Sequence, residues 1–263
     1  MSLHAKARES RKICLAALAK AKSPHVGSAL SVIDILVYLY ERYLKEETNP
    51  NNFHKLVFSK GHAAISIYSV MTVIGMIQKE ELDKFCDDGS HLYGHISHLA
   101  HPSIQLSTGS LGHGLPFAIG IAHAKKMKGD QGRVFVVMSD GELNEGTTWE
   151  SALLASKFNL ENLTVIVDRN HMQSLENTEV TLPLEPLCRK WEAFGWRAMT
   201  VDGHDFESLA QMEEFQERPT ILMANTIKGK GISWMENDIK WHYKWPSDSE
   251  LQKALLELDF KVS

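Results

Sequence analysis

Uninterrupted hydrophobic runs separated by amphipathic stretches dominate the second half of the chain. The strongest runs are Val134 to Met138 and Leu163 to Val167, and weaker ones span 196–201 and 220–224. Strands without polar alternation are typical of a parallel sheet that is buried on both faces. Helical patterns near 146–158 and 206–216 would supply the connections between them. The second half therefore predicts an α/β fold, with a parallel sheet flanked by helices.

The first half predicts two helices, a short strand and a third helix. The helices span residues 3–22 and 30–44, and Ser31 is a suitable N-cap for the second. The strand at 56–58 runs into an apolar helix that begins at Ala63.

A long segment with little periodicity, residues 86–114, is rich in glycine, histidine and serine. A loop of this length inside a compact domain is often functional. Because the chain contains no repeat, low-complexity tract or linker, we expect residues 1–263 to form a single domain.

The composition excludes several classes of partner. The net charge of −5 gives no indication of a basic surface, so we expect neither nucleic acid nor an anionic membrane as a partner. No apolar segment reaches the roughly 18–20 residues that span a bilayer, and the N-terminus lacks a secretory signal. The three cysteines have no paired spacing, which indicates free thiols in a reducing compartment. We therefore expect a cytoplasmic protein.

Polar residues follow the two strongest predicted strands at their carboxyl ends, where parallel sheets bind ligands. The first strand runs into Asp140 and Gly141, and the second into Asp168 and Asn170. If the strands are neighbours, Asp140 and Asn170 meet at one edge and offer the oxygen ligands that Mg²⁺ or Ca²⁺ prefers. Gly141 allows close backbone approach before a helix N-terminus, which favours phosphate. Asp168 has a plainer interpretation as a cap at the strand end.

An Asp-Gly pair followed thirty residues later by asparagine resembles the thiamine-diphosphate motif, with Ser139 in place of its usual first glycine. The residues between, including Glu142 to Gly146 and Trp149 to Ala152, resemble the transketolase version of this motif. Six further segments match the transketolase family in order and spacing: Ser23 to Gly27, Ser59 to Ala63, Gly94-His95, Ser107 to Gly112, Thr226 to Gly231, and Trp241-His242.

This resemblance implies a thiamine-diphosphate-binding fold of the diphosphate-binding (PP) type, with Mg²⁺ (or Ca²⁺ or Mn²⁺) as the metal. The implied metal ligands are Asp140, Asn170 and the Met172 carbonyl. The implied cofactor-binding residues are Lys60, His62, Gly109, Ser110, Leu111, Gly141, Glu142, Asn170, Lys228 and His242. The implied catalytic residues are the proton-exchanging His25, His62, His95 and His242, together with Glu145 and Glu150, which resemble glutamates at the family's subunit contact.

The resemblance also implies a reaction, the transfer of a two-carbon ketol unit from a ketose or ketose phosphate to an aldose. In this family the glutamate that activates the cofactor lies on a pyrimidine-binding domain, and none follows before Ser263. We therefore expect a partner subunit with pyrimidine-binding and C-terminal domains, in a two-plus-two assembly. Two alternatives stay open: a thiamine-diphosphate synthase or lyase acting on an α-keto acid, and a non-catalytic cofactor-binding scaffold.

The other histidines and several departures from the family pattern bear on the substrate. Four loop histidines could mimic a zinc site, although none has helix-borne HxxxH or HxH spacing: His91, His98, His101 and His113. Four others are expected to be structural: His4, His54, His123 and His204. Five residues differ from those usual in the family, namely Pro24, Val26, His113, Tyr243 and Trp245. These changes favour a specialised ketose over the common pentose phosphates.

Overall fold

A single parallel sheet forms the centre of the molecule in the computed structural model, which describes residues 1–44, 54–213 and 217–260. Its strands are β1 Lys55–Phe58, β2 Val134–Ser139, β3 Leu163–Arg169, β4 Arg197–Asp202 and β5 Thr220–Asn225. Their order across the sheet is β1-β2-β3-β5-β4, and every neighbouring pair is parallel. The predicted α/β fold and the positions of the five predicted strands are confirmed.

Helices cover both faces of this sheet. They are α1 Leu3–Ala21, α2 Val26–Ser31, α3 Ile33–Leu39, α4 Ala64–Val73, α5 Lys79–Leu82, α6 Gly114–Met127, α7 Gly146–Lys157, α8 Thr178–Thr181, α9 Leu187–Ala193, α10 Phe206–Leu209 and α11 Asp248–Phe260. Tyr40–Leu44 forms a π turn, and 3₁₀ turns span Gly61–Ala63, Gly141–Asn144, Ala210–Glu213 and Ile239–His242. No helix within the described ranges is long and apolar enough to cross a membrane.

The apolar strands supply two separate cores because successive side chains point to opposite faces of the sheet. In β2, Phe135 and Val137 pack with α1–α4, α10 and α11. Val134, Val136 and Met138 of the same strand pack with α6, α7 and α9. All five side chains are fully buried, as the lack of polar alternation predicted.

The predicted N-cap at Ser31 is wrong. The helical segment begins at Val26, and Ser31 lies in the last turn of α2, where its hydroxyl donates to the Ser28 carbonyl (3.2 Å) and to Asp168 (2.6 Å). The residue at the N-cap is His25, with a left-handed φ of 73°. Its backbone N–H donates to the His242 carbonyl at 3.0 Å. A tertiary contact therefore stabilises a helix start that local propensity does not favour.

Other differences concern helix boundaries. The predicted helix at 30–44 is interrupted at Val32, between α2 and α3, and ends in the π turn. The one predicted at 206–216 is found as α10 and a 3₁₀ turn, while 214–216 lie outside the described residues. Helix α6 has no counterpart among the predicted elements. Its Pro116 lies in the first turn, where a missing N–H costs no helical hydrogen bond.

Candidate active site

A cavity of about 220 Å³ opens at the carboxyl ends of β1, β2 and β3. Pairing of β2 with β3 places Ser139 opposite Asp168, so the residues that follow these strands share one edge, as predicted. The predicted site residues that line the cavity are His25, Lys60, His62, His95, Gly109, Leu111, Asp140, Gly141, Asn170, Met172, Lys228 and His242. Residues from at least six separate segments of the chain therefore meet in one place.

Four predicted site residues do not line this cavity. The side chains of Ser110, Glu145 and Glu150 are exposed. Glu142 is fully buried, and its carboxylate accepts hydrogen bonds from the Ser59 hydroxyl and from the Gly112 N–H at 2.9 Å. Burial raises the pKa of Glu142 to about 7, although these two hydrogen bonds favour its charged form.

Oxygen atoms are concentrated at one end of the cavity. Asp140 is 1% exposed, and its carboxylate accepts the N–H groups of Gly141 (2.8 Å) and His171 (2.7 Å). The Asn170 amide oxygen accepts the Met172 N–H at 3.1 Å, which fixes the turn after β3. A carboxylate, an amide oxygen and the Met172 carbonyl are the kinds of ligand that a hard divalent cation takes. The donor set therefore fits Mg²⁺, Ca²⁺ or Mn²⁺.

Lys228 adds a cationic group beside these oxygens. Its Nζ donates to the carbonyls of Met172 (3.4 Å) and Gln173 (3.2 Å) and lies 3.3 Å from His242 Nδ1. Burial, together with repulsion from Lys60, lowers the pKa of Lys228 to about 8. Burial and the neighbouring Asp168 raise the pKa of Asp140 to about 6. A bound cation would stabilise the charged form of Asp140, and a bound anion would stabilise the charged form of Lys228.

Lys60, at the wall of the cavity, forms an ion pair with Asp168, and both side chains are fully buried. Asp168 also accepts the hydroxyls of Ser31 (2.6 Å) and Thr226, while Lys60 Nζ donates to the Ser28 carbonyl at 2.7 Å. Burial alone would raise the pKa of Asp168, but the Lys60 ammonium and these donors outweigh it and hold the pKa below its ordinary value. Asp168 is therefore more than a strand-end cap, because it joins α2, β1, β3 and β5 below the cavity.

Four histidine side chains surround the middle of the cavity. The ring centroid of His25 lies 4.7 Å from that of His242, 5.3 Å from His62 and 5.9 Å from His95. Burial and the nearby positive charges lower the pKa of His25 to about 4 and that of His242 to about 3, and lower the pKa of His62 well below its ordinary value. These three imidazoles are therefore neutral at neutral pH.

His25 combines several features of a functional residue. It is a non-glycine residue with a left-handed φ, which costs backbone energy that surrounding contacts must offset. Its Nδ1 is buried and has no hydrogen-bond partner among the described residues. A buried polar atom without a partner beside a cavity favours a ligand that completes its hydrogen bonding.

The remaining histidines include the loop histidines, which the zinc alternative concerned, and those expected to be structural. Among the described residues, no group of three His, Cys, Asp or Glu side chains could hold a metal ion, so the loop histidines do not form the alternative zinc site. His98 instead contacts Ser107 Oγ (2.7 Å). His204 bridges Asp34 (2.6 Å) and the Ile227 N–H (2.8 Å), a structural role as predicted.

Some cavity residues were missed by the sequence analysis. Ser28, Gln173 and Ser174 line the cavity without having been predicted. Each stands within three residues of a predicted one, so proximity to His25 and Met172 was the available signal. Arg169 was missed too. It is 2% exposed beside the cavity edge, pairs with Glu179 (2.9 Å) and Glu185 (3.1 Å), and lies 3.4 Å from Asp140.

Several known proteins are similar in sequence to this chain over most of its length. The family model described as transketolase, thiamine diphosphate binding domain, matches residues 4–261. One of the subunits of the apulose-4-phosphate transketolase of Actinobacillus succinogenes is 39% identical over 89% of this chain and 87% of its own length. The 6-deoxy-6-sulfo-D-fructose transketolase subunit SqwG of a Clostridium species is 34% identical over 98% of this chain and 97% of its own.

Longer transketolases match over part of their length. Human transketolase is 35% identical over 85% of this chain but only 37% of its own. The crystal structure of transketolase from Campylobacter jejuni superposes with a TM-score of 0.89 and 27% identity, over 99% of this chain and 43% of that one. The chain thus spans about two fifths of the length of that solved transketolase.

Proposed function

The chain belongs to the transketolase family as its thiamine-diphosphate-binding domain, and we propose that it is the cofactor-binding subunit of a two-chain transketolase. The reaction would transfer a two-carbon ketol unit from a ketose to an aldose. The observation that carries this proposal is the meeting, in one cavity, of cation-binding oxygens, a lysine and neutral histidines.

Asp140, Asn170 and the Met172 carbonyl would hold Mg²⁺ (or Ca²⁺ or Mn²⁺) at one end of the cavity. Lys228 would contact the diphosphate, with Gly141, His62 and His242 beside it. Gly109, Ser110 and Leu111 would lie against the aminopyrimidine ring. When bound, thiamine diphosphate supplies a carbanion nucleophile and an electron sink. Lys60 would act mainly through its ion pair with Asp168, which fixes the wall of the cavity.

The histidines would exchange protons with substrate hydroxyls. Geometry favours His25 as the proton acceptor, since its Nδ1 is without a partner in the described part of the chain. Its low pKa results from burial and from electrostatic repulsion by His95, Lys228 and Lys60. A diphosphate bound beside Lys228 would offset the charge of that lysine and raise the pKa of His25 toward the range of an effective general base.

A partner subunit would complete the site. Three of the relatives that match over most of their own length are named as single subunits of a transketolase, and such names imply a second subunit. Exposed apolar side chains on adjacent helices offer a contact surface: Phe117 on α6 is 40% exposed, and Leu153 and Leu154 on α7 are 57% and 49% exposed. Glu145 and Glu150, near the start of α7, would lie at this contact. We propose a partner with pyrimidine-binding and C-terminal domains, a two-plus-two assembly and a cytoplasmic location.

The names of the same relatives support a proposal for the substrate class. Apulose-4-phosphate and 6-deoxy-6-sulfo-D-fructose, which the names of two relatives give, both carry an anionic group on a sugar. We therefore propose that the ketose donor carries a terminal anionic group.

The decisive experiment is a ketol-transfer assay on the chain purified from its host with its bound partner. The assay would contain thiamine diphosphate, Mg²⁺, a panel of phosphorylated and sulfonated ketoses, and an aldose acceptor. We expect transfer only when both subunits are present, and none with Asp140→Ala. Transfer by the single chain would contradict the partner requirement. Products from pyruvate but not from ketoses would favour an α-keto acid enzyme, and no turnover with intact cofactor binding would favour a scaffold.

A further inference from the structure

The loop that walls one end of the cavity is fixed by hydrogen bonds at both of its ends. At its start, Thr108 donates through its hydroxyl to the Phe58 carbonyl (2.8 Å) and through its N–H to the Ile96 carbonyl (3.2 Å). At its end stands Gly112. Between these anchors, Gly109 and Leu111 line the cavity. His113 Nδ1 also lies 3.0 Å from the Leu111 carbonyl. The anchors at the two ends of this cavity loop, Thr108 to Gly112, therefore help to set its position.

The second anchor comes from the segment that follows β2. Glu142 accepts the Gly112 N–H at 2.9 Å, and the Thr147 hydroxyl donates to the Gly112 carbonyl at 2.7 Å. Gly112 has a φ of 83°, and a Cβ there would lie 2.4 Å from Thr147 Oγ1. Both peptide groups of Gly112 are thus clamped, in a conformation and a space that only glycine tolerates.

Glu142 is itself fixed from several sides. Its carboxylate accepts the Ser59 hydroxyl, its backbone carbonyl accepts the Thr148 hydroxyl at 3.0 Å, and its side chain is fully buried. It stands two residues after Asp140, in the 3₁₀ turn that carries the oxygen-rich end of the cavity. One short segment, Asp140 to Glu142, therefore supplies both a group for the cation end and the anchor of the cavity loop.

We propose that Glu142 is a positioning residue. It holds the cavity loop in the position in which the loop lies against the aminopyrimidine ring of the cofactor, and it does not touch the cofactor itself. This inference rests on the proposed function, because it assigns the loop to the ring and the Asp140 end to the diphosphate. It replaces the direct cofactor contact that the family resemblance implied for Glu142.

The anchor is tested first by hydrogen exchange on the full chain without ligand. In Glu142→Ala we expect the amides of residues 109–113 to exchange about fivefold to tenfold faster, as the loss of a buried hydrogen bond implies. Glu142→Gln keeps an acceptor for the Gly112 N–H and should stay within about threefold of the native chain. Thr147→Val, at an exposed position, should have a smaller effect in the same direction.

The matched control is Asp34→Asn, which alters another buried carboxylate. Asp34 pairs with Arg11 and His204, and these three residues line a different cavity from the candidate site. This variant should lose stability without faster exchange at 109–113. Native exchange at these amides in Glu142→Ala would overturn the proposal, and so would equal loop exchange in the Asp34→Asn control.

The positioning role is tested by comparing two ligands in the complex with the partner subunit. With Mg²⁺ present, calorimetry would measure the affinity for thiamine diphosphate and for inorganic diphosphate, which lacks the ring. We expect Glu142→Ala to weaken the first about tenfold and the second less than about twofold, and Glu142→Gln to restore the first. Equal weakening of both would overturn the proposal, because a general structural defect does not discriminate between them. If the native complex binds neither ligand, the proposed function fails. The exchange experiment would still show whether Glu142 anchors the cavity loop.

Discussion

Replacing Asp168 with asparagine should destabilise the chain strongly, because it leaves the Lys60 ammonium buried without a counter-charge. Both side chains are fully buried. At a separation of about 4 Å and an effective dielectric constant near 20, the lost attraction is worth about 4 kcal/mol. Breaking one side of a buried ion pair costs about 3–5 kcal/mol. Because Lys60 keeps its hydrogen bonds to the Ser28 carbonyl and the Ser31 hydroxyl, we expect a loss of about 3 kcal/mol in the free energy of unfolding.

Urea unfolding of a small set of variants measures this loss, provided that the slope with denaturant stays constant. The double variant Lys60→Met/Asp168→Asn strands no charge and should recover to within about 1.5 kcal/mol of the native chain. Glu161→Gln is the matched control, since it breaks the half-exposed pair between Lys126 and Glu161 (2.5 Å). Exposed pairs contribute about 0–1 kcal/mol, so this control should lose almost none of its free energy of unfolding.

Two results would refute this reasoning. One is a loss in Asp168→Asn no larger than that of the Glu161→Gln control. The other is a double variant that is no more stable than Asp168→Asn, because the cost would then come from lost packing or hydrogen bonds and not from the stranded charge of Lys60.

Two further predictions concern pH and the metal. The folded-state pKa values of His25 and His242, about 4 and about 3, lie below the ordinary 6.5, so the unfolded chain binds more protons as pH falls below 6.5. This contribution lowers the free energy of unfolding as pH falls from 6.5 to 4, whereas the raised pKa values of Asp140 and Glu142, about 6 and about 7, act in the opposite direction. Because His242→Gln removes one histidine contribution and leaves both carboxylates, urea titrations should show its free energy of unfolding rising relative to that of the native chain between pH 6.5 and 4, by on the order of 1–3 kcal/mol. Asp140→Ala should weaken Mg²⁺-dependent binding of thiamine diphosphate to the complex by about 100-fold or more in calorimetry; native affinity would show that Asp140 is not a metal ligand.

The sheet was predictable because its signal is local. Strands such as β2 and β3 are apolar along their whole length, and both of their faces are buried. The same runs placed Asp140 and Asn170 at one edge, since parallel neighbours end on the same side. The histidines and the glycine loop were predicted from short motifs that resemble a family.

Contacts between distant segments could not be predicted in this way. The pairing of Lys60 with Asp168 joins residues 108 apart and depends on β1, β2 and β3 being neighbours in that order. The helix start at His25 depends on a backbone hydrogen bond to His242, far along the chain. Local rules favoured Ser31 as an N-cap because its hydroxyl suits that role, whereas the folded chain uses that hydroxyl to bind Asp168.

The charges around the cavity fall into two groups with different consequences for a ligand. Lys60 and Asp168 neutralise each other and are fully buried, so binding need not rearrange them. Lys228 has only carbonyl groups and a histidine as hydrogen-bonding neighbours within the described residues, and Asp140 has a carboxylate whose pKa is raised. A cation at Asp140, which already has Arg169 3.4 Å away, and a diphosphate at Lys228 would add opposite charge beside each of these groups. Lys60 therefore organises the site through its ion pair, and Lys228 is the lysine that is available to the phosphate.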